Sequence, residues 1–323
     1  MAGTVHSVGR NVYEFKPGDR VAAFHQCFTA NGSFGEYGVA PDWTTFHVPN
    51  NVSYEEAATI PLAALTAAIA LFVDMKLPAP YNPRISTEEK ERVPILIYGV
   101  TSAVGAFAAK LARISGLSPI IGVAGQSSSF AKTLVDYVVD YRKGEDALIA
   151  DIEEILAKED LGRKISNVFD AISENGSLEA TLRIIEPNGG TICTVLPPKL
   201  FAKDKENFRY PDGVNATNSS VPRVFSTHKD FGYVWSRYLG RLLETERLKA
   251  HPHEVIPGGL KGVLVGLNNL KNGKASGVKY VYIIEDTKDV GIGEIRMQIA
   301  EGHTVDRSAT QNSHPLKDFP MPT

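Results

Sequence analysis

The sequence predicts an α/β fold: a doubly wound parallel sheet joined to a smaller β-rich region. Three observations predict it. Strands and helices alternate from residue 93 onward, the first of these strands runs into a glycine-containing turn, and the first ninety residues show short strand patterns separated by Gly and Pro turns. Such alternation is typical of parallel sheets with crossover helices. We therefore expect a Rossmann-type sheet in the second region.

The alternating region contains five apolar segments of strand length. Strands are predicted at Ile95–Tyr98, Ile120–Ala124, Tyr137–Asp140, Asn167–Asp170 and 191–196. Helices are predicted between them at 104–114, from 130, at 147–158 and at 178–185. The last hundred residues add helices at 231–247 and 260–270 and a strand at 279–284. Beyond residue 287 no hydrophobic period is sustained, so 287–323 is predicted to be a disordered tail.

The N-terminal region has weaker patterns. A Pro-Gly-Asp turn precedes a predicted strand at 21–24, and alternation predicts another at 34–39. Ser53 is expected to cap a helix that carries Glu55 and Glu56 in its first turn, where carboxylates are favoured by the helix dipole.

The most apolar stretch, 57–73, carries Pro61 and two threonines and ends in charged residues. It predicts a buried helix from about 62 to 72 rather than a membrane span.

The net charge of −3 supplies no basic excess to neutralise phosphates, so neither nucleic acid nor an anionic membrane is expected as a partner. Two cysteines and no secretory leader pattern predict a cytoplasmic protein.

The turn from Gly99 to Gly105 predicts a dinucleotide site. Gly99 ends the strand, and Gly105 lies where the following helix must approach the sheet closely. A helix N-terminus at such a turn binds phosphate through its N–H groups. The two glycines do not form the strict G-x-G-x-x-G pattern, and the start of a helix in another α/β fold is the competing interpretation.

The end of the second strand bears on the choice of cofactor. NAD-preferring sites carry Asp or Glu there, but the turn contains Gln126, Ser127 and Ser128 and no carboxylate. Hydroxyl and amide groups can donate hydrogen bonds to a 2′-phosphate, so NADPH is the predicted cofactor. Tyr141 and Arg142 are expected to close over the adenosine end. A plain Ser-rich surface turn is the alternative.

The chain resembles the medium-chain dehydrogenase/reductases in their zinc-independent quinone oxidoreductase branch. The resemblance runs from Gly3 to about Asp286. Its markers are collinear and lie at residues 2–5, 15–21, 32–37, 56–61, 102–105 and 139–142. Residues 230–235 and 251–260 are similar to the fungal trans-acting enoyl reductases of polyketide pathways.

This resemblance implies a GroES-like catalytic domain beside the Rossmann domain and hydride transfer from NADPH to an enone, a quinone or an enoyl thioester. It implies an incomplete GroES-like domain at 1–92, the Rossmann domain at 93–230 and a C-terminal part at 231–286 that completes both. Relatives are expected to carry about 60 residues before the position of Met1, including strands whose loss would leave sheet edges uncovered. A polyketide synthase partner and a monomer or homodimer are also implied.

The resemblance also assigns site residues by position. It implies cofactor contacts at Gly99, Thr101, Ser102, Ala103, Val104, Gly105, Gln126, Ser127, Ser128, Tyr141, Val195, Leu196, Ala275 and Ser276. It implies a substrate-lining segment at Ala63, Ala64, Leu65, Thr66, Ala67, Ala68 and Ile69. A helix between 129 and 141 that is shorter than in relatives is a further expectation.

No metal site is predicted. A four-cysteine structural zinc site is impossible with Cys27 and Cys193 alone. A ligand pair at His25 and Cys27, or at His251 and His253, competes with ordinary packing, which we favour. A hydrolase is not indicated, because the Gly-x-Ser-x-Gly elbow is missing.

The proton donor is not assigned from sequence. Tyr233, Tyr238 and His228 lie in the expected region, and each competes with a structural role. Three functional hypotheses follow: an active NADPH-dependent reductase, a truncated nucleotide-binding relic without turnover, and a partner subunit of a polyketide synthase.

Overall fold

The structure is a computed structural model that describes residues 1–82 and 92–288. The strands in these ranges are β1 (Ala2–Thr4), β2 (Arg20–Ala23), β3 (Thr45–His47), β4 (Ile95–Tyr98), β5 (Ile120–Ala124), β6 (Tyr137–Asp140), β7 (Asn167–Asp170), β8 (Thr191–Thr194), β9 (Asn215–Asn218), β10 (His253–Val255) and β11 (Lys279–Val281). The α-helices are α1 (Tyr54–Ala58), α2 (Pro61–Ile69), α3 (Ala103–Ile114), α4 (Ser128–Ala131), α5 (Glu145–Lys158), α6 (Ser177–Ile184), α7 (Pro198–Phe201), α8 (Lys229–Glu244) and α9 (Val263–Lys271).

The central element is a parallel sheet with the strand order β6-β5-β4-β7-β8-β9. Strands β5 and β6 follow β4 on one side, and β7, β8 and β9 follow on its other side. The strand order therefore reverses between β4 and β7. This is the doubly wound Rossmann order, and ligands bind at the carboxyl ends of the strands beside the reversal. Every residue of β4 and β5 is buried, as expected for a sheet covered on both faces.

The five predicted strands of this sheet are confirmed, although β8 ends at Thr194 rather than at 196. The sixth strand, β9, was not predicted. Its sequence, Asn-Ala-Thr-Asn, has no apolar pattern, because it lies at the edge of the sheet and, among the described strands, pairs with β8 alone. The helices at 104–114, 147–158, 178–185 and 231–247 are confirmed within a few residues. Helix α4 has four residues, and that it is shorter than in relatives stays a prediction.

The N-terminal region forms a separate antiparallel sheet with the order β1-β2-β3. The prediction of a strand at 21–24 is confirmed by β2. The prediction of a strand at 34–39 is wrong: the segment is irregular, and Phe34, Tyr37 and Val39 are 61–64% exposed. Alternation alone cannot make a strand without a neighbouring strand to accept its hydrogen bonds.

The predicted cap at Ser53 is confirmed. Its hydroxyl accepts the N–H of Glu56, whose carboxylate in turn accepts the N–H of Ser53, which makes a capping box. The helical stretch Tyr54–Asp74 is long and apolar enough to cross a membrane by length and composition, but it is 72% buried. It packs on α3 in the core, so the predicted buried helix is confirmed.

The C-terminal part forms a small parallel pair, β10 with β11. The predicted strand at 279–284 is shorter than expected, and β10 was not predicted. The helix expected at 260–270 is confirmed as a 3₁₀ turn, Gly259–Gly262, followed by α9. The predicted tail at 287–323 lies, from residue 289 onward, outside the described residues. The division into domains at 92, 230 and 286 stays a prediction.

An aromatic cluster joins α8 to the helix that follows α2. Trp235 is fully buried and stacks on Phe72, with ring centroids 5.0 Å apart and an interplanar angle of 9°. Tyr238 packs edge-on against the same indole, and the Tyr81 ring is tilted against it. Trp235 therefore anchors α8 in the core.

Replacing this indole should be costly. We expect Trp235→Ala to lower the free energy of unfolding by about 3–5 kcal/mol, because the surrounding rings cannot close the cavity. Urea unfolding followed by far-UV circular dichroism measures the change. Phe28→Ala, at a side chain that is 93% exposed, is the matched control and should leave the midpoint unchanged. A Trp235→Ala midpoint equal to that of the control would contradict the anchoring role.

A buried histidine makes the fold sensitive to acid. His251 is 2% exposed and lies against the rings of Phe107 and Phe130. Burial, together with the charges of Lys110 and Lys279, lowers the pKa of His251 to about 4. The unfolded chain binds a proton at pH values where the folded imidazole stays neutral, so stability decreases as the pH falls from 6.5 to 4.

We expect His251→Asn to flatten this dependence. The free energy of unfolding is measured between pH 6.5 and 4 for the wild type, for His251→Asn and for His6→Asn, an exposed histidine used as control. The slope should be shallower for His251→Asn only. Equal slopes in all three proteins would show that His251 is not the acid-sensitive group.

Candidate functional site

The turn after β4 brings helix and sheet into close contact. Gly99 has a φ of +73°, and a Cβ there would lie 2.3 Å from Cγ1 of Ile172. A Cβ on Gly105 would lie 2.3 Å from the carbonyl oxygen of Gly99. Both positions therefore require glycine, for backbone conformation and space at Gly99 and for space alone at Gly105.

The first turn of α3 presents its N-terminus at the carboxyl edge of the sheet. Ser102 caps the helix by accepting the N–H of Gly105 at 3.0 Å. The predicted phosphate-binding residues Thr101, Ala103 and Val104 are half-buried at this helix start. Helix N–H groups without intrahelical partners and the helix dipole suit the turn to a pyrophosphate.

The turn after β5 is joined to a segment 149 positions further along the chain. The hydroxyls of Ser127 and Ser276 are 2.6 Å apart. Gly277, with a φ of +68°, lies against the Ser127 side chain. The structure therefore brings the predicted residues Gln126, Ser127 and Ser128 together with Ala275 and Ser276. Their binding of a cofactor stays a prediction.

Tyr141 covers the same end of the site. A Cβ on Gly125 would lie 2.8 Å from Cε1 of Tyr141, so the phenol ring lies directly over this glycine. The ring is also tilted against that of Tyr98, at a centroid distance of 6.3 Å. Tyr141 is 48% exposed, which leaves one side of its ring open to a ligand.

A carboxylate that sequence reasoning missed lies beside this turn. Asp140 ends β6 and is the register partner of Ala124 at the end of β5. Arg142 donates from Nε at 2.9 Å and from Nη2 at 2.6 Å to the two oxygens of Asp140. These hydrogen bonds, with that from the Arg142 backbone, lower the pKa of Asp140 to about 2. Its position at the end of the third predicted strand was the sequence signal that could have identified Asp140.

The other end of the site lies after β8. Val195 and Leu196, predicted to flank the nicotinamide, are half-buried there. The N–H of Val195 donates to Oγ of Ser173 at 3.0 Å. Ser173 belongs to a loop after β7 that the sequence did not indicate, because no motif marks it.

The predicted substrate-lining residues lie in α2. Ala63 to Ile69 are at most 8% exposed and belong to the main hydrophobic core, packed on α3. In this arrangement their side chains contact other core residues. Their role in substrate binding stays a prediction.

The three proton-donor candidates each have other contacts. The hydroxyl of Tyr233 donates to Glu14, and this hydrogen bond raises the pKa of Tyr233. Tyr238 packs edge-on against Trp235, and Nδ1 of His228 is 2.8 Å from the hydroxyl of Thr227.

The possible metal ligands are accounted for by packing. His25 contacts the carbonyl oxygen of Val39 at 2.6 Å and the hydroxyl of Thr29 at 3.0 Å. Burial raises the pKa of the Cys27 thiol. Within residues 1–82 and 92–288, no group of three or more His, Cys, Asp or Glu side chains could hold a metal ion.

A groove of about 310 Å³ lies between β3 and α8. Phe15 and Phe46 form part of its wall, and Arg237 and Arg241 contribute charged groups. Its lining residues belong to the N-terminal region and α8, so it is separate from the predicted cofactor site.

Comparison with known proteins places the chain in a family. No family model matches the chain. It is 38% identical over 266 residues to the trans-enoyl reductase fsr4 of Gibberella fujikuroi, which covers 81% of this chain and 75% of that protein. It is 33% identical over 295 residues to the trans-enoyl reductase ACTTS2 of Alternaria alternata, which covers 88% and 82%.

Solved structures share the fold. The CurK enoyl reductase has a TM-score of 0.66 at 20% identity, over 87% of this chain and 77% of that one. A quinone oxidoreductase of Pseudomonas syringae has a TM-score of 0.64 at 22% identity, over 87% and 80%. Enoyl reductases of this type use a nicotinamide cofactor. The chain belongs to the trans-enoyl reductases, and its sequence motifs resemble the medium-chain dehydrogenase/reductases.

Proposed function

We propose that this chain is an NADPH-dependent enoyl reductase that reduces the activated C=C bond of an enoyl thioester in secondary metabolism. The observation that carries the proposal is the adenosine end of the site, where Ser127, Ser276 and Tyr141 converge on one turn. Its similarity to trans-enoyl reductases supports the reaction class. Quinones and simple enones are the other acceptors consistent with this chemistry.

The residues of the turn have distinct tasks. Thr101 to Val104 would hold the pyrophosphate against the N-terminus of α3. Val195 and Leu196 would flank the nicotinamide ring at the end of β8. When bound, the reduced cofactor supplies the hydride that is transferred to the β-carbon of the substrate. The chain's contribution is to orient both partners and to exclude water from the reacting atoms.

The preference for NADPH rests on charge. Three polar uncharged residues follow β5, and their hydroxyl and amide groups can donate to a 2′-phosphate. Asp140 lies close by, but Arg142 neutralises it. Arg142 therefore keeps the Asp140 carboxylate from repelling the phosphate.

The substrate is expected to arrive on a partner. We propose that the enoyl thioester is carried by the acyl-carrier domain of a polyketide synthase and that both proteins are cytoplasmic. A monomer and a homodimer both remain consistent with this proposal.

Turnover is the direct test. We expect NADPH oxidation, followed at 340 nm, on addition of crotonyl-pantetheine, and none with butyryl-pantetheine, which has no C=C bond. NADPH that raises the melting temperature without being oxidised by enoyl thioester, enone or quinone would support the nucleotide-binding relic and contradict the reductase.

The Asp140–Arg142 pair should control the choice of cofactor. We expect Arg142→Ala to reduce the preference for NADPH over NADH about tenfold, because an unpaired Asp140 repels the 2′-phosphate and accepts from a ribose 2′-hydroxyl. The ratio of kcat/KM values for the two cofactors measures it. Lys143→Ala, which breaks the neighbouring exposed pair with Asp151, is the control. An unchanged ratio in Arg142→Ala would remove Arg142 from cofactor selection.

A further inference from the structure

A buried carboxylate shapes the loop behind the cofactor turn. Asp170, at the end of β7, has no exposed surface. Its Oδ1 accepts the N–H groups of Ile172 at 3.0 Å and of Ser173 at 2.8 Å, and its Oδ2 accepts the Ser177 hydroxyl at 2.7 Å. These hydrogen bonds turn the chain sharply and hold Ser173 at a φ of +59°.

The loop formed in this way contacts the phosphate-binding turn and the nicotinamide end of the proposed site. Ile172 packs against Gly99 in the phosphate-binding turn. Ser173 is 1% exposed, and its hydroxyl donates to the carbonyl oxygen of Asp170 at 2.9 Å while accepting the N–H of Val195 at 3.0 Å. The Ser173 hydroxyl therefore links β7 to the segment that follows β8.

We propose that Ser173 is a positioning residue for hydride transfer, an inference that rests on the proposed function. The Ser173 hydroxyl fixes the peptide plane of Val195, the residue expected beside the nicotinamide ring. Because Ser173 is buried, loss of the hydroxyl leaves the Val195 N–H without a partner, and the segment must move to find one. Asp170 acts indirectly, because its hydrogen bonds hold Ser173 in the left-handed conformation.

A merely structural role makes a different prediction. If the Asp170–Ser173–Val195 hydrogen bonds only stabilise the fold, their loss lowers the free energy of unfolding and weakens the binding of both halves of the cofactor alike. If Ser173 positions the nicotinamide end, the adenosine half, which is held by Ser127, Ser276 and Tyr141, binds as before.

The variants are Ser173→Gly and Ser173→Ala. Glycine adopts a positive φ without strain, so Ser173→Gly removes the hydroxyl and preserves the turn. Ser236→Ala is the matched control, because Ser236 is also fully buried and its hydroxyl donates to a backbone carbonyl, that of Trp43 at 3.2 Å. For each protein, Kd is measured for 2′,5′-ADP and for NADPH, and kcat and its isotope effect are measured with NADPH deuterated at nicotinamide C4.

We expect Ser173→Gly to bind 2′,5′-ADP like the wild type, to bind NADPH more weakly, and to lose about tenfold in kcat with a larger isotope effect. Ser236→Ala should change none of these. Equal losses for 2′,5′-ADP and NADPH, or unchanged NADPH binding and kcat in both Ser173 variants, would overturn the proposal. If the wild type binds NADPH without turnover, the reductase function fails, and the comparison of the two Kd values still decides the role of Ser173.

Discussion

The close approach of α3 to β4 is the constraint on which the site depends. With no side chain at Gly105, the helix start lies against the carbonyl of Gly99, and the positive φ of Gly99 turns the chain from strand to helix in a few residues. This places the helix N-terminus at the carboxyl edge of the sheet, where the strand order reverses. A Cβ at Gly105 would push the helix start away from the strand, and a Cβ at Gly99 would collide with the Ile172 side chain.

Contacts between distant segments complete the two ends of the site. At the adenosine end, Ser276 reaches the turn after β5 and meets Ser127. At the nicotinamide end, Ser173 joins the loop after β7 to the segment after β8. The first link joins two serine hydroxyls, and the second joins the Ser173 hydroxyl to the backbone N–H of Val195.

Titratable groups are stabilised in different ways at the surface and in the core. Asp140 at the exposed edge keeps its charge and is paired with Arg142. Asp170 in the interior is held by backbone N–H groups and a hydroxyl, and burial raises its pKa. His251 avoids the cost of a buried charge by staying neutral. The proposed cofactor preference and the acid sensitivity of the fold therefore depend on different groups.

The sequence by itself determined the five central strands, the Ser53 cap, the glycine turn and the family, because each depends on residues close together in the chain or on collinear motifs. Only the tertiary structure decided which distant segments pair with these strands and which side chains meet at the turn. The alternation at 34–39 found no partner strand, whereas β9, with no apolar pattern, pairs with β8 at the sheet edge. The approach of Asp140 to the β5 turn and the Asp170–Ser173–Val195 network depend on strand register and loop return. Local sequence patterns do not encode these two features, because both arise from contacts between segments that only folding brings together.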